Sequence, residues 1–218
     1  MKARFLTENL KAGRGGRRAF VRTAGACLAI LAMVAVWPAA ASAATPRVFL
    51  LRGWFGVFST GLDNMAEQLK AQGIDVEVAG HLYWSTVVKK ILSERSSGQM
   101  RPLVLIGHSQ GANNVIDIAR ELQSHGVTVD LLVTISPFWQ KAIPANVVKA
   151  IDYYQAPGWG QPLEADAGFH GKINNVNLVG DLSVTHVTMD KSQKIQAEIV
   201  REIAALSQQP DAPGALRR

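Results

Sequence analysis

Residues 103–115 read LVLIGHSQGANNV and hold the most informative pattern in the chain. The opening run, Leu103–Ile106, is wholly apolar, as is typical of a strand buried on both faces of a sheet. Apolar residues then recur at helical spacing and predict a helix from about Gln110 to Gln123. In the turn between them, Gly107-His108-Ser109-Gln110-Gly111, a glycine stands two positions to either side of the serine. Such a turn brings strand and helix close together and raises the serine hydroxyl above the sheet at the N-terminus of the helix.

The segments before and after this turn continue the alternation of strands and helices. Apolar runs predict further strands at 48–51, 75–79, 131–135, 147–154 and 173–179. Three more helices are predicted by the faces Leu62/Met65/Ala66/Leu69, Trp84/Val87/Val88/Ile91/Leu92 and Ile195/Ile199/Val200/Ile203. Thr60 is the predicted cap of the first helix, and Asp190 with Gln193 forms a predicted capping box for the last. Because such alternation implies crossover connections, we expect an α/β fold: a doubly wound, mainly parallel sheet of about six strands with helices on both faces.

The first 43 residues have the composition of an export signal. They contain seven Lys or Arg residues but a single acidic residue, Glu8. A run of small and apolar residues up to Trp37 follows, and Ala41-Ser42-Ala43 fits the cleavage rule of a signal peptidase. The run is shorter than the roughly 20 residues that cross a bilayer, and Arg17-Arg18 resembles a twin-arginine motif. We therefore expect a cleaved signal peptide over residues 1–43, a periplasmic or secreted protein, and no stable membrane insertion after cleavage.

The remainder of the chain carries no net formal charge, with 16 basic and 16 acidic residues. This balance gives no reason to expect a nucleic-acid partner. The one cysteine, Cys27, lies in the predicted leader, which excludes disulfides and thiolate sites from the mature chain. No metal-binding spacing and no phosphate-binding loop occurs there either, so we expect no metal and no cofactor. Residues 44–207 are predicted to form one domain, and residues 208–218 a flexible tail.

The serine turn and its context resemble the α/β-hydrolase superfamily, most closely its small bacterial members without a lid, the minimal cutinase-like form. The resemblance rests on this turn, on the loop Arg52-Gly53-Trp54 after the first predicted strand, and on His186 before the last helix. It implies that Ser109 is the nucleophile and His186 the general base. It also implies an oxyanion hole formed by the backbone N–H groups of Gln110 and Trp54. The family usually has His-Gly before the second donor, where this chain has Arg52-Gly53.

His186 has to be chosen among five histidines. His170, in a glycine-flanked loop, is the main competitor, but it precedes the sixth predicted strand. His108 is too near the serine along the backbone to turn its ring onto the hydroxyl. His125 ends a helix, and His81 precedes the nucleophile, contrary to the family's order of serine, acid and histidine.

The acid of the catalytic triad is the least determined residue. One branch of the superfamily places it after the strand that follows the nucleophile's helix, where this chain has Ser136. Asp181, in Val179-Gly180-Asp181-Leu182, resembles the acid loop of cutinase-like esterases and is our assignment. Other carboxylates between nucleophile and base remain open: Asp166, Glu164 and Asp152. A plain turn role for Asp181 is the competing interpretation.

Together these features predict an exported serine hydrolase that cleaves carboxylic esters or thioesters through an acyl-enzyme on Ser109. Its substrate would be a small-molecule ester or a lipid-like molecule. The loop aromatics Trp54, Phe55, Phe138 and Trp139 are candidates for an apolar acyl pocket. The alternative function is that of a catalytically inactive hydrolase-fold binding protein, because Ser136 stands where one branch of the superfamily has its acid.

Overall fold

A computed structural model describes residues 44–54 and 56–208. The strands in this part of the chain are β1 (Arg47–Arg52), β2 (Asp75–Gly80), β3 (Leu103–His108), β4 (Leu131–Ile135), β5 (Lys149–Tyr154) and β6 (Lys172–Asn177). The helices are α1 (Thr60–Ala71), α2 (Trp84–Ser96), α3 (Gln110–Ser124) and α4 (Gln193–Leu206), and short 3₁₀ turns at His81–Tyr83 and Met189–Lys191 precede α2 and α4. The predicted signal peptide over residues 1–43 lies outside the described residues, as does nearly all of the predicted tail.

The described strands form one sheet in the order β2-β1-β3-β4-β5-β6, and every neighbouring pair is parallel. The prediction of a doubly wound α/β fold with about six strands is confirmed. Parallel strands bring all their carboxyl ends to one edge of the sheet, where ligands bind in folds of this kind. At that edge β3, which leads into the serine turn, lies between β1 and β4.

Helices cover both faces of the sheet, and each face has its own apolar core. The core under α2 and α3 includes Phe49, Leu105 and Leu132, whereas the core under α1 and α4 includes Leu50, Ile106 and Val133. Neighbouring residues of one strand thus point to opposite cores, as the two-residue period of a strand requires. Because both faces are covered, β3 is buried at every residue, and its first four residues are apolar.

The capping predictions for α1 and α4 are wrong. Ser192, not Asp190, is the residue before α4, and neither Ser59 nor Thr60 caps α1 through its side chain. The fully buried Asp190 carboxylate instead accepts the backbone N–H of Gly61 in α1 at 2.8 Å. A carboxylate distant in sequence thus caps α1, which tertiary packing allows and a local sequence motif does not reveal.

Candidate active site

Ser109 lies in a backbone conformation that only the surrounding structure can impose. Its φ is 58° and its ψ −123°, unusual for a residue with a side chain, and it connects β3 to the first turn of α3. A Cβ on Gly107 would lie 2.2 Å from the carbonyl oxygen of Gly111, and one on Gly111 would lie 2.1 Å from that of Leu51. Both flanking positions therefore require glycine, as the sequence pattern predicts, and the serine hydroxyl lies at the N-terminus of α3.

His186, from the loop between β6 and α4, approaches this hydroxyl. Its Nε2 lies 3.0 Å from Ser109 Oγ. The indole of Trp159 stacks on the His186 ring, with the ring centroids 4.2 Å apart and the planes at 28°. The structure thus brings the predicted nucleophile and the predicted base together with the geometry that proton transfer requires.

The other ring nitrogen of His186 contacts Ser136, not a carboxylate. Nδ1 lies 2.6 Å from the Oγ of Ser136, which is fully buried at the end of β4. Ser136 has a φ of 50°, and its own N–H is held by the carbonyl of Tyr153 at 2.7 Å. For Nε2 to accept the Ser109 proton, His186 must carry its own proton on Nδ1, which donates to Ser136 Oγ. The position that sequence reasoning set aside because it lacks a carboxylate is the one that orients the histidine.

The structure does not bring Asp181 to His186. The Asp181 carboxylate accepts hydrogen bonds from the backbone N–H and the hydroxyl of Ser183, which closes the turn after β6. These two hydrogen bonds lower the pKa of Asp181. The geometry therefore corrects our assignment of the acid and fits the competing interpretation, a turn residue.

None of the alternative carboxylates in the described residues is hydrogen-bonded to the histidine. Asp166 pairs with Arg120, and Glu164 is exposed on the loop before β6. Asp152 is fully buried in β5, where one oxygen accepts the Thr134 hydroxyl at 2.6 Å. Burial raises the pKa of Asp152 to about 7.

The histidine that competed with His186 lies at the far edge of the sheet. His170 lines a cavity together with Lys149 and Lys172, the first residues of β5 and β6. Amino ends of parallel strands lie opposite their carboxyl ends, so His170 cannot reach the serine turn. His125 ends α3 and lies 3.6 Å from Glu121 one turn earlier.

His108, the residue between glycine and serine in the turn, ties the base to the loop after β1. It is fully buried, and its Nε2–H donates to the carbonyl oxygen of His186 at 2.8 Å. Burial lowers the pKa of His108, which favours the neutral ring. Its Nδ1 accepts a hydrogen bond from the Ser59 hydroxyl, with Nδ1 and Oγ 2.8 Å apart. Ser59 Oγ in turn accepts the backbone N–H of Gly53 at 2.9 Å. The sequence does not predict this chain of hydrogen bonds. Its one signal there is His108, a histidine in a turn that is buried between a strand and a helix.

Gly53 packs directly against the serine. A Cβ at this position would lie 2.8 Å from Ser109 Cβ, so only glycine allows the approach. The Gly53 carbonyl accepts His81 Nδ1–H at 3.2 Å and the N–H of Gly56 at 3.3 Å. That carbonyl belongs to the same planar peptide unit as the N–H of Trp54, the predicted oxyanion donor, and in a trans peptide the two groups point in opposite directions. The contact with His81 therefore fixes the direction of the Trp54 N–H.

The protonated form of His186 is disfavoured in this environment. Burial, with a smaller contribution from nearby His108, lowers the pKa of His186 to about 4. No carboxylate is hydrogen-bonded to either of its ring nitrogens in the described part of the chain, and the hydroxyl of Ser136 adds no negative charge. His186 is thus an available proton acceptor down to acidic pH and a weak base.

An aromatic wall formed by Trp54, Phe138, Trp139 and Trp159 rises beside His186. Phe138 is its centre, with ring centroids 5.4 Å from Trp54, 4.6 Å from Trp139 and 6.0 Å from Trp159. Asn113 of α3 holds the wall, because its Oδ1 accepts the N–H groups of Phe138 and Trp139 and its Nδ2 donates to the Trp139 carbonyl. Trp54, Trp139 and Trp159 are about half exposed, so the wall is a surface feature and not core packing.

The described residues contain no group of three or more His, Cys, Asp or Glu side chains placed to hold a metal ion. None of the helices between residues 44 and 208 combines the length and apolar character needed to cross a membrane.

Comparisons with known proteins return similar folds but no similar sequences. No family model matches the chain, and no curated protein does either. Among solved structures, a cutinase-like protein from Cryptococcus sp. matches with a TM-score of 0.52 and 16% identity over 78% of this chain and 98% of that one. A protein from Xanthomonas campestris pv. campestris, described as belonging to the hydrolases of the alpha/beta superfamily, has a TM-score of 0.37 and 17% identity over 72% of this chain and 98% of that one. An acetyl xylan esterase has a TM-score of 0.44 and 15% identity over 75% of this chain and 99% of that one.

At these identities, only the fold can be compared. The match to the cutinase-like protein covers almost all of that chain, and it agrees with the parallel sheet described above. The fold of this chain is that of the α/β hydrolases.

Proposed function

We propose that this chain is an exported serine hydrolase that cleaves carboxylic esters or thioesters through an acyl-enzyme on Ser109. The observation that carries the proposal is the 3.0 Å contact between Ser109 Oγ and His186 Nε2 on a strained turn at the N-terminus of α3. A serine with a neutral histidine at this distance, its hydroxyl raised above the sheet, is arranged as an activated nucleophile.

In the first half of the reaction, Ser109 Oγ attacks the carbonyl carbon of the substrate while His186 Nε2 takes the hydroxyl proton. The backbone N–H groups of Gln110 and Trp54 stabilise the negative charge that develops on the carbonyl oxygen. His186 then returns the proton to the leaving oxygen or sulfur, and an alcohol or thiol departs. In the second half, water attacks the acyl-enzyme by the same route and releases the carboxylic acid and free Ser109.

Ser136 takes the place of the triad's acid in this mechanism. Its hydroxyl oxygen accepts a hydrogen bond from His186 Nδ1–H and holds the ring with Nε2 toward Ser109. A neutral oxygen can orient the imidazole but cannot offset the positive charge that the ring gains during proton transfer. The proposed enzyme is therefore a Ser–His–Ser hydrolase with a slower chemical step than a triad that contains a carboxylate.

A fluorophosphonate probe tests the proposal. Wild-type protein should be labelled on Ser109 and should hydrolyse p-nitrophenyl acetate, whereas Ser109→Ala should fold normally but show neither reaction. Ser136→Ala and Asp181→Asn form a matched pair: the first should lower kcat because the orientation of His186 is lost, and the second should leave kcat at the wild-type value. The opposite result would restore Asp181 as the acid.

One observation favours the alternative, a hydrolase-fold protein that binds ligands without cleaving them. The group on His186 Nδ1 is a hydroxyl rather than a carboxylate, as expected if selection for catalysis were lost. Folded wild-type protein that neither reacts with the probe nor hydrolyses any ester would support this alternative.

A further inference from the structure

A pocket of about 640 Å³ lies at the carboxyl ends of β1 and β2, next to the proposed oxyanion loop. Its lining includes Arg52, Trp54, Gly80, His81, Leu82 and Tyr83, and we call it the β1–β2 pocket. The volume is within the range of roughly 300–1,000 Å³ that is typical of small-molecule sites. Gly53 also lines it, and this residue packs against Ser109, so the pocket begins beside the proposed nucleophile.

The lining of this pocket favours an uncharged, apolar occupant. Trp54, Leu82 and Tyr83 expose 50%, 78% and 64% of their surfaces around it, which is unusual for large apolar side chains placed so close together. The two basic side chains of the lining are already engaged, since Arg52 pairs with Asp63 and His81 donates to the Gly53 carbonyl. Arg52 and His81 thus direct these donor groups at protein atoms and not at a ligand anion.

The sheet order fixes which part of an ester can enter this pocket. During acyl transfer the leaving oxygen must lie next to His186 Nε2, which returns the proton to it. His186 is held from the β4–β5 side of the serine, by Ser136 at the end of β4 and by Trp159 after β5. The β1–β2 pocket lies on the other side of β3. The leaving group therefore faces Trp139 and Trp159, the part of the aromatic wall on the His186 side, and the acyl substituent points toward Trp54, β1 and β2.

We propose that the β1–β2 pocket is the acyl-binding site and that its ligand is an uncharged, apolar acyl chain longer than acetyl. This inference rests on the proposed function. It assigns Leu82 and Tyr83, which no sequence pattern singles out, to recognition of the acyl chain. It assigns Trp139 and Trp159 to the leaving-group side, although the sequence predicts that Trp139 lines the acyl pocket.

Gly80 allows the pocket to be filled without backbone strain. Its φ of −79° and ψ of 154° are accessible to any residue, and an added Cβ would lie 3.6 Å from the Tyr83 ring, at ordinary contact distance. Gly80→Leu therefore places a branched side chain against the pocket wall. Trp139→Ala is the matched control, because it removes an exposed aromatic group from the opposite side of the serine.

The experiment compares kcat/KM for p-nitrophenyl octanoate and p-nitrophenyl acetate, which share a leaving group and differ only in acyl length. A pocket that accepts or rejects one methylene changes selectivity by roughly 10-fold or more, so Gly80→Leu should lower the octanoate-to-acetate ratio at least ~10-fold. Trp139→Ala should keep the wild-type ratio and instead lower the preference for p-nitrophenyl acetate over ethyl acetate. Thermal unfolding and fluorophosphonate labelling report whether each variant is folded and has an active serine.

The outcomes separate this inference from the proposed function. A wild-type protein that is not labelled and cleaves neither ester refutes the proposed function, and the inference with it. An active wild type whose octanoate-to-acetate ratio is unchanged by Gly80→Leu but lowered by Trp139→Ala refutes the inference alone, and places the acyl chain against the aromatic wall. If Gly80→Leu does not fold, Tyr83→Ala is the substitute: by removing apolar contact area it should lower the same ratio, and an unchanged ratio counts against the inference.

Discussion

Replacement of Ser136 by aspartate should move the acid limb of the pH–rate profile. In the wild type, burial lowers the pKa of His186 to about 4, and the hydroxyl 2.6 Å from its Nδ1 carries no charge to oppose this effect. The shift from an ordinary value near 6.5 disfavours the imidazolium, and because the ring is only partly buried, solvent screening keeps the free-energy cost below that of a fully buried charge. Protonation of His186 removes the base, so kcat/KM should rise with pH through the folded pKa. We therefore expect a wild-type acid limb near pH 4.

In the Ser136→Asp variant, a carboxylate next to Nδ1 favours the charged ring. A neighbouring opposite charge raises a histidine pKa by roughly 1–3 units, so the acid limb should move to between about pH 5 and 7. The rate on the pH plateau should increase, because the imidazolium formed during proton transfer is now stabilised. Aspartate tolerates the positive φ of Ser136 better than most residues do, which favours folding of the variant.

The measurement is kcat/KM for p-nitrophenyl acetate between pH 3.5 and 9, which reports the pKa of the free enzyme's base. Ser136→Ala is the control, expected to keep an acid limb near pH 4 with a lower plateau, since it removes orientation but changes no charge. A wild-type limb near pH 7 that falls to lower pH in Asp181→Asn would refute the reasoning, because it would mean that the Asp181 carboxylate serves His186 during turnover.

Three further predictions concern other parts of the molecule. Asp152 is buried, one of its oxygens finds no hydrogen-bond partner in the described structure, and its pKa of about 7 exceeds the ordinary 3.8. The stability that the protonated carboxyl contributes below pH 4 should therefore be lost as pH rises through 7. Thermal unfolding should show that Asp152→Asn stabilises the protein by an amount that grows over this pH range. His81→Phe removes a hydrogen-bond donor from the Gly53 carbonyl and should lower kcat for p-nitrophenyl acetate about 3- to 10-fold, as loss of one neutral hydrogen bond implies. His81→Asn should recover part of the rate. Equal rates in the wild type and both variants would show that the Gly53–Trp54 peptide is held without His81. N-terminal sequencing of protein recovered outside the cytoplasm should begin at Ala44, and an intact Met1 would contradict a cleaved signal peptide.

What the sequence could predict follows from short-range physics. Gly107 reports a close backbone contact with Gly111 in the same turn, and the apolar run before it reports burial on both faces of one strand. Such constraints are visible in a few neighbouring residues. The order of strands and helices along the chain was therefore enough to predict the parallel sheet.

The partner of His186 could not be predicted in the same way, because it depends on how three distant loops meet. The search for an acid required a carboxylate, so Ser136 was set aside although its place in the chain was correct. Asp190 shows the same limit: next to Gln193 it looks like a local helix cap, whereas packing directs it to α1. Residue type and local spacing do not determine a contact between segments that only the complete fold brings together.

The hydrogen-bond chain from Gly53 through Ser59 and His108 to the His186 carbonyl orders the site before any substrate binds. Ser59 accepts from Gly53 and donates to His108, and His108 donates to the His186 carbonyl, so these hydrogen bonds join the loop of the oxyanion donor to the loop of the base on folding. Conformational entropy lost at that stage need not be lost again when a substrate binds. Binding energy from the ester is then free to act on the reacting carbonyl instead of organising the protein around it.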